Sequence, residues 1–258
     1  MKYSIHPTAI VDKRTEISED VEIGPYCIIG PEVKIGRGTR IGAYTYIEKW
    51  TVIGEDNLIY PHVIMGVPPQ DLKYRGEKSW VKVGNGNVIR EFTTIHRAGG
   101  EGESTIVGDR NYLMAYSHVA HNCKIGNGVI LANAVALAGY VQVEDYAILG
   151  GLVGAHQFTR VGTLSIVGGC SKVVKDVVPY LKVDGHPLKV YGLNTLGLRR
   201  HGIPEEKISL LKKAYRILFR SGLNTTEALK VIRKELPPLP EILHLLEFIE
   251  LSQRGIHK

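Results

Sequence analysis

Aliphatic or small side chains recur at every sixth position along most of the chain. A helix would repeat near 3.6 residues and a half-buried strand near 2, so a sustained period of six indicates a repeat architecture. We interpret each hexad as one short strand plus a tight corner, where frequent glycines ease the backbone. The repeated positions are Ile5, Val11, Ile17, Ile23, Ile29, Ile35, Ile41, Ile47, Ile53, Ile59 and Met65, then Val107, Leu113, Val119, Ile125, Leu131, Leu137, Val143, Leu149, Ala155, Val161, Val167 and Val173.

Three hexads make an 18-residue coil, and stacked coils pair as parallel strands about 4.8 Å apart. The pattern therefore predicts a mainly β protein, a three-sided parallel β-helix of roughly nine to ten coils over residues 1–190. Two polar or glycine-rich stretches, 67–80 and 98–105, interrupt the period. Such insertions must leave the prism as loops, and these commonly lie on the binding face.

Residues 191–258 change character and predict a small α-helical domain. Proline or an N-cap residue opens each helical pattern, Gly222 follows the first, and Leu251 ends the last. Asn224 with Glu227 has the spacing of a capping box. The predicted helices start from Pro204, Asn224 and Pro240.

Composition narrows the class of protein. No apolar run approaches the roughly 18 residues of a membrane span, and the N-terminal residues lack the basic-then-apolar design of a signal peptide. We therefore expect a cytoplasmic protein without stable membrane insertion. Cys27, Cys123 and Cys170 show no CxxC spacing, so neither disulfides nor a thiolate zinc site is indicated. Cys27 and Cys123 each lie four residues after a repeated aliphatic, so we expect them to be small core residues.

The net charge of +6 is concentrated in the tail. Residues 189–258 hold 13 Lys and Arg against 7 Asp and Glu, whereas residues 1–188 hold 19 of each. This asymmetry favours an acidic partner for the tail. Nucleic acid is disfavoured as that partner, because no recognised motif or aromatic platform accompanies the charge.

The candidate chemistry lies at His118 and His121, which straddle Val119 in the sequence HVAHNC. One coil beyond His121 stands Gly139, and equivalent positions in successive coils stack at strand spacing. An imidazole would thus lie beside a backbone amide that no side chain shields. A general base next to a free N–H group is the pair that acyl transfer requires.

Three other interpretations remain open from the spacing alone. The histidines could be surface residues of a solenoid, or the chain could be a non-catalytic trimeric scaffold. A zinc site shared between two subunits, as in trimeric β-helix enzymes of the γ-carbonic-anhydrase type, would draw on His96, His118, His121 or His156.

Seven motifs in order carry a resemblance to a known family: QDLKY at 70–74, TIHR at 94–97, HVAHNC at 118–123, LAGY at 137–140, AHQF at 155–158, VGGCS at 167–171 and GLNTLGLRRHG at 192–202. Together they resemble the UDP-N-acetylglucosamine O-acyltransferases of lipid A synthesis, a hexapeptide-repeat family. The resemblance runs nearly end to end. It implies a left-handed β-helix, a homotrimer with active sites between subunits, and no cofactor or metal.

The resemblance also implies roles for individual residues. His121 would remove the proton from the sugar 3-hydroxyl, which attacks the thioester of a 3-hydroxyacyl group on acyl carrier protein. The amide of Gly139 would hold the oxyanion, and Gly169 would limit acyl-chain length. Contacts to the UDP-N-acetylglucosamine substrate would come from Gln70, Asp71, Lys73, His118, His156, Gln157, Asn194 and Arg200.

Some positions depart from the family pattern. Tyr140 stands where most members have a histidine near the sugar, so N-acyl transfer to a UDP 3-amino sugar is an alternative function. His201 replaces a usual arginine, for which Arg199 would compensate, and Leu196 replaces an acid. Asn122 follows the base where an acid is sometimes found.

A basic stripe on the first tail helix is the expected docking surface for acyl carrier protein. Lys212, Arg216 and Arg220 fall at i, i+4 and i+8, on one face of a helix. Acyl carrier proteins are acidic, so the stripe would attract them and would account for the charge asymmetry. A merely solvated helix face is the alternative for these residues.

Overall fold

The structure, a computed structural model, describes residues 3–258. The chain winds as a left-handed parallel β-helix with three flat faces and then forms four α-helices. Successive strands go to successive faces, so each face collects every third strand.

Each face is one sheet, and its strands are mostly two residues long. The first face contains β1 (Ser4–Ile5), β4 (Glu22–Ile23), β7 (Arg40–Ile41), β10 (Leu58–Ile59), β13 (Val88–Ile89), β16 (Tyr112–Leu113), β19 (Ile130–Leu131), β22 (Ile148–Leu149), β25 (Ile166–Val167), β27 (Leu181–Asp184) and β28 (Lys189–Leu193). The second face contains β2 (Ile10–Val11), β5 (Ile28–Ile29), β8 (Tyr46–Ile47), β11 (Ile64–Val67), β14 (Thr94–His96), β17 (His118–Val119), β20 (Ala136–Leu137), β23 (Gly154–Ala155) and β26 (Lys172–Val173). The third face contains β3 (Glu16–Ile17), β6 (Lys34–Ile35), β9 (Thr51–Ile53), β12 (Trp80–Val83), β15 (Ser104–Val107), β18 (Lys124–Ile125), β21 (Gln142–Val143) and β24 (Arg160–Val161).

The hexad aliphatics fill the prism. From Ile23 onward they are buried, and Ile47, Ile95 and Leu131 have no exposed surface. Strand registers pair these positions coil by coil, for example Val119 with Leu137. Cys27 and Cys123 are buried between them as expected, whereas Cys170 is exposed.

Many glycines in the hexads serve close stacking of the coils rather than the turn, which was the role predicted for them. The left-handed backbone at most corners belongs to non-glycine residues such as Tyr140 (φ 63°) and Phe158 (φ 64°). Gly36 instead permits the next coil to stack closely, because a Cβ there would lie 2.5 Å from the backbone of Gly54. Glycines such as Gly36 thus allow coil contact, whereas Gly38, Gly86 and Gly128 take the left-handed place of the corner themselves.

The two predicted loops are slightly shorter than the sequence suggested. Val67 and Trp80 at the ends of the first loop belong to strands, as do Ser104 and Thr105 in the second. They pair in the sheets, where Trp80 lies opposite Ser104. The loops contact each other, since the amide of Gly102 donates to the carbonyl of Lys78 over 2.8 Å.

The end of the β-helix was not predicted correctly. Where the hexads stop, β27 and β28 form an antiparallel hairpin that extends the first face. Since β28 runs from 189 to 193, it crosses the expected boundary between residues 190 and 191. An antiparallel hairpin has no six-residue period, so the hexad pattern gave no sign of it.

Four helices follow, of which the short first one was not expected: α1 (Thr195–Arg200), α2 (Glu205–Arg220), α3 (Thr225–Glu235) and α4 (Pro240–Glu250). The capping box predicted at Asn224 and Glu227 is present in α3. Ile208, Leu211 and Leu218 form the buried face of α2. None of the helices among residues 3–258 is long and apolar enough to cross a membrane.

Candidate active site

His121 and Gly139 lie against each other at one edge of the β-helix. The strands before them, β17 and β20, pair in register, so the two corners stack. A Cβ built on Gly139 would lie 2.6 Å from both Cε1 and Nε2 of His121. The imidazole therefore stands directly over the glycine backbone, which confirms the juxtaposition expected from the 18-residue spacing.

The amide of Gly139 makes no hydrogen bond with any group among residues 3–258. This corner position does not need its N–H group, since prolines occupy the same place at Pro25 and Pro61. Elsewhere a side chain uses the group, as Asp145 does for the amide of Asn127 at 2.7 Å. At residue 139 the donor stays free beside an imidazole.

Asn122 orients the imidazole, a role that the sequence analysis did not assign. Its Oδ1 lies 2.9 Å from Nδ1 of His121 and accepts the amide N–H of Gly99, also over 2.9 Å. An acceptor at Nδ1 places the ring proton there and leaves the lone pair on Nε2, the atom beside Gly139. Asn122 has φ 59°, a conformation that asparagine adopts more readily than most residues.

His96 and His118, the two histidines near His121, are neutral at neutral pH. Burial, followed by the charges of His118 and His121, lowers the pKa of His96 to about 4. Burial, followed by the charge of His121, also lowers the pKa of His118, whose Nδ1 lies 2.7 Å from Oγ1 of Thr94. Nδ1 of His96 is buried without a hydrogen-bond partner among residues 3–258, an arrangement that native structures rarely leave unfilled by ligand or water.

Tyr140 and Phe158 continue the site along the same edge. Their rings stack with centroids 4.8 Å apart, and the Tyr140 ring lies edge-on to His121 with centroids 5.4 Å apart. Both rings line a cavity of about 390 Å³, together with Arg160 and Leu251. The ring of Tyr140 thus lies between the base and this cavity's other aromatic ring, Phe158.

Comparison with known proteins identifies the family. A model described as bacterial transferase hexapeptide (six repeats) matches residues 32–66 and 104–139, and one described as Udp N-acetylglucosamine O-acyltransferase, Domain 2, matches residues 176–257. A relative from Thermodesulfovibrio yellowstonii is 55% identical over 253 residues, covering 98% of both chains. The chain belongs to the UDP-N-acetylglucosamine O-acyltransferase family. That relative and one from Synechocystis sp., 48% identical over 96% of this chain and 90% of its own, are both named acyl-(acyl-carrier-protein)-UDP-N-acetylglucosamine O-acyltransferase.

Solved structures of the family have the same fold. A UDP-N-acetylglucosamine acyltransferase from Bacteroides fragilis superimposes with a TM-score of 0.96 at 41% identity, over 98% of this chain and all of that one. The Francisella novicida UDP-N-acetylglucosamine acyltransferase gives a TM-score of 0.95 at 38% identity, over 98% of this chain and 93% of its own.

The residues expected to contact the family's sugar nucleotide lie on the first inserted loop, on the coils near Gly139 and in the tail. Gln70 and Lys73 are exposed on the first loop, where the carboxylate of Asp71 accepts the amide of Lys73 over 2.9 Å. His156 and Gln157 are exposed one coil beyond Gly139. Gly169 is exposed further along, and a Cβ there would lie 3.2 Å from the carbonyl of Gly151, so a side chain would meet the neighbouring coil.

In the tail, the candidate residues surround α1. The side chain of Asn194 caps this helix, accepting the amide of Gly197 over 3.0 Å, and donates to the carbonyl of Leu164 over 2.8 Å. Asn194 is also only 6% exposed, so its side-chain amide mainly stabilises the fold. A contact with the nucleotide would have to use a hydrogen-bonding position that these two bonds leave free.

The basic residues of the same segment are exposed. Arg199 pairs with Glu205, Arg200 is exposed, and the His201 ring lies 4.4 Å from the ring of Tyr146. The guanidinium of Arg199, which was expected to compensate for His201, is thus already paired with the carboxylate of Glu205.

The basic stripe of α2 is accessible. Lys212, Arg216 and Arg220 are exposed, and none of them forms a salt bridge within residues 3–258. In the same part of the chain, no three His, Cys, Asp or Glu side chains are grouped so that they could hold a metal ion.

Proposed function

We propose that this protein transfers a 3-hydroxyacyl group from acyl carrier protein to the 3-hydroxyl of UDP-N-acetylglucosamine, the first step of lipid A synthesis. The observation that supports this most directly is the imidazole of His121, oriented by Asn122 and placed over the free amide of Gly139. Family membership supports the substrate class, since relatives 55% and 48% identical are named for this reaction.

His121 acts as the general base of this reaction. Nε2 accepts the proton of the sugar 3-hydroxyl while that oxygen attacks the thioester carbonyl carbon. The carbonyl oxygen becomes an oxyanion, to which the amide of Gly139 donates a hydrogen bond. When the tetrahedral intermediate collapses, the C–S bond breaks and the imidazolium returns its proton to the leaving thiolate.

The exposed first loop contacts the sugar nucleotide, and the basic helix α2 contacts the acyl carrier protein. Lys73 supplies a compact cation for the diphosphate, with Gln70 and Asp71 contacting the sugar nucleotide. Lys212, Arg216 and Arg220 receive the acidic carrier protein, because three exposed cations on one helix face create a positive field. His118, His156, Gln157 and Arg200 complete the contacts to the sugar nucleotide.

The active form is a homotrimer with its sites between subunits. His121 and Tyr140 stand on an outer edge of the prism and are partly exposed in the single chain. A second subunit against this edge would enclose the substrate and exclude water, which strengthens electrostatic stabilisation of the oxyanion. Light scattering of the purified protein tests this arrangement, since a monomer with full activity would contradict it.

Acyl transfer by the purified, metal-stripped protein tests the proposed reaction. We expect transfer from 3-hydroxyacyl carrier proteins to UDP-N-acetylglucosamine, and a fall of about 1000-fold in kcat for His121→Ala. A His121→Ala variant with unchanged activity would contradict the role of the base. Activity that depends on added zinc would favour the metal interpretation, and no activity in any condition would favour a scaffold.

N-acyl transfer to a UDP 3-amino sugar is the second candidate function. Tyr140 favours it, because a phenol ring edge-on to His121 replaces the imidazole that most family members place near the sugar. Competition between UDP-N-acetylglucosamine and its 3-amino analogue distinguishes the two. A kcat/KM more than tenfold higher for the 3-amino analogue would show that the protein is an N-acyltransferase, which forms an amide-linked acyl chain.

A further inference from the structure

The first inserted loop has a defined turn at its centre. The amide of Tyr74 donates to the carbonyl of Asp71 over 3.0 Å, and the amide of Lys73 donates to the carboxylate of Asp71 over 2.9 Å. This turn contains the residues proposed to contact the sugar nucleotide. It also projects into solvent, with Leu72 96% exposed, so contacts within the turn alone do not fix its direction.

Arg97 connects this turn to the β-helix. Its Nε donates to the hydroxyl of Tyr74 over 3.1 Å, and one terminal nitrogen donates to the carbonyl of Gly66 over 3.1 Å. Its backbone amide donates to the carbonyl of Val67, also over 3.1 Å. One residue therefore holds both the start of the loop and its central turn.

The guanidinium of Arg97 is in an unusual environment for a charge. The residue is only 4% exposed, and it forms no salt bridge with a carboxylate among residues 3–258. Its charge lies 5.0 Å from the ring centroid of Trp50 and 5.7 Å from that of Tyr74. Burying an arginine without an ion pair costs free energy, which cation–π contacts offset in part.

We propose that Arg97 is a positioning residue for the sugar-nucleotide site, acting through Tyr74 on the turn with Gln70, Asp71 and Lys73. This inference rests on the proposed function of that loop. Because the turn is held in place before the substrate arrives, binding does not have to order it, and affinity for the ground state improves. His121 lies one coil beyond Arg97, but the hydrogen bond from Arg97 to the hydroxyl of Tyr74 touches neither His121 nor Gly139, so we expect its loss to act on substrate binding rather than on the chemical step.

Tyr74→Phe removes only the hydroxyl, which accepts from Arg97 and also donates to the carbonyl of Glu77 over 2.9 Å, so an effect shared with Arg97→Lys is what identifies the contact between Arg97 and Tyr74. We expect KM for the sugar nucleotide to rise about tenfold, as for loss of one hydrogen bond to a charged group, with kcat within about twofold of wild type. KM for the acyl carrier protein should not change. Hydrogen exchange of the amides in residues 68–79 should accelerate, whereas exchange in the coils should not. Arg97→Lys, which keeps the charge but loses the planar fork, should resemble Tyr74→Phe.

Tyr112→Phe is the matched control, since its hydroxyl accepts a hydrogen bond from Arg90 over 3.2 Å on the first face, away from the loop. A control with the same rise in KM would overturn the proposal, as would a Tyr74→Phe variant that lost kcat at constant KM or kept wild-type exchange. If wild-type protein used no UDP sugar, the proposed function would fail, while hydrogen exchange would still decide whether Arg97 holds the loop.

Discussion

The imidazole of His121 fills the space that a side chain at Gly139 would need, with Nε2 2.6 Å from the position of a Cβ. Gly139→Ala should therefore push the imidazole of His121 away from the backbone amide of residue 139. We expect kcat to fall at least about 100-fold, comparable to the loss of an oxyanion donor, with an unchanged circular dichroism spectrum.

Gly151→Ala is the control for that substitution. Gly151 has the same place in a corner at another edge of the prism, and a Cβ there would approach the carbonyl of Asn133 only to 3.4 Å, an ordinary contact. We expect its kcat within about twofold of wild type. Equal losses in the two variants would show that any added methyl group at a corner disturbs the enzyme.

Asn122 should matter for kcat although it touches no substrate in the proposed reaction. Asn122→Gly removes the acceptor for Nδ1 of His121 without straining the backbone at φ 59°. The ring would then populate both tautomers and rotate, so we expect kcat to fall about ten- to 100-fold. Steady-state kinetics over a range of pH measures the loss.

Asn122→Asp separates the two tasks of this side chain. A carboxylate still accepts from Nδ1 of His121 and from the amide of Gly99, but it cannot donate to the carbonyl of Gly99, a bond of 3.1 Å. We expect it to keep most of the wild-type kcat. Activity as low as that of Asn122→Gly would mean that the contact with the loop, rather than orientation of the ring, is what the enzyme requires.

The sequence could predict contacts between positions one 18-residue coil apart, but not contacts that depend on the conformation of an inserted loop. His121 over Gly139 was predictable because an 18-residue coil makes register a matter of arithmetic. The contacts of Asn122 with Gly99 and of Arg97 with Tyr74 join an insertion to a coil, and no period relates such positions. The hairpin β27–β28 was missed for the same reason.

The basic stripe on α2 should affect the carrier protein alone. Arg216→Glu reverses one exposed charge, so we expect KM for acyl carrier protein to rise about tenfold at low salt and the difference to shrink as salt is added. KM for the sugar nucleotide should stay constant. Lys13→Glu, the same change of charge at the opposite end of the β-helix, is the control, and an equal effect there would indicate long-range attraction without a docking surface.

A half-buried ion pair between the β-helix and α4 should make stability depend on pH. Nε2 of His244 lies 2.8 Å from a carboxylate oxygen of Glu144, and this hydrogen bond is the main reason that the pKa of His244 is raised above 6.5. A raised folded-state pKa means that the contribution to stability is complete below about pH 6.5 and disappears as the pH rises through the folded-state value. His244→Gln should thus lower the urea midpoint more at about pH 5.5 than at about pH 9. His6→Gln, at an exposed site, is the control, and a His244→Gln effect that was larger in alkali would show that the pair does not hold α4 to the β-helix in this way.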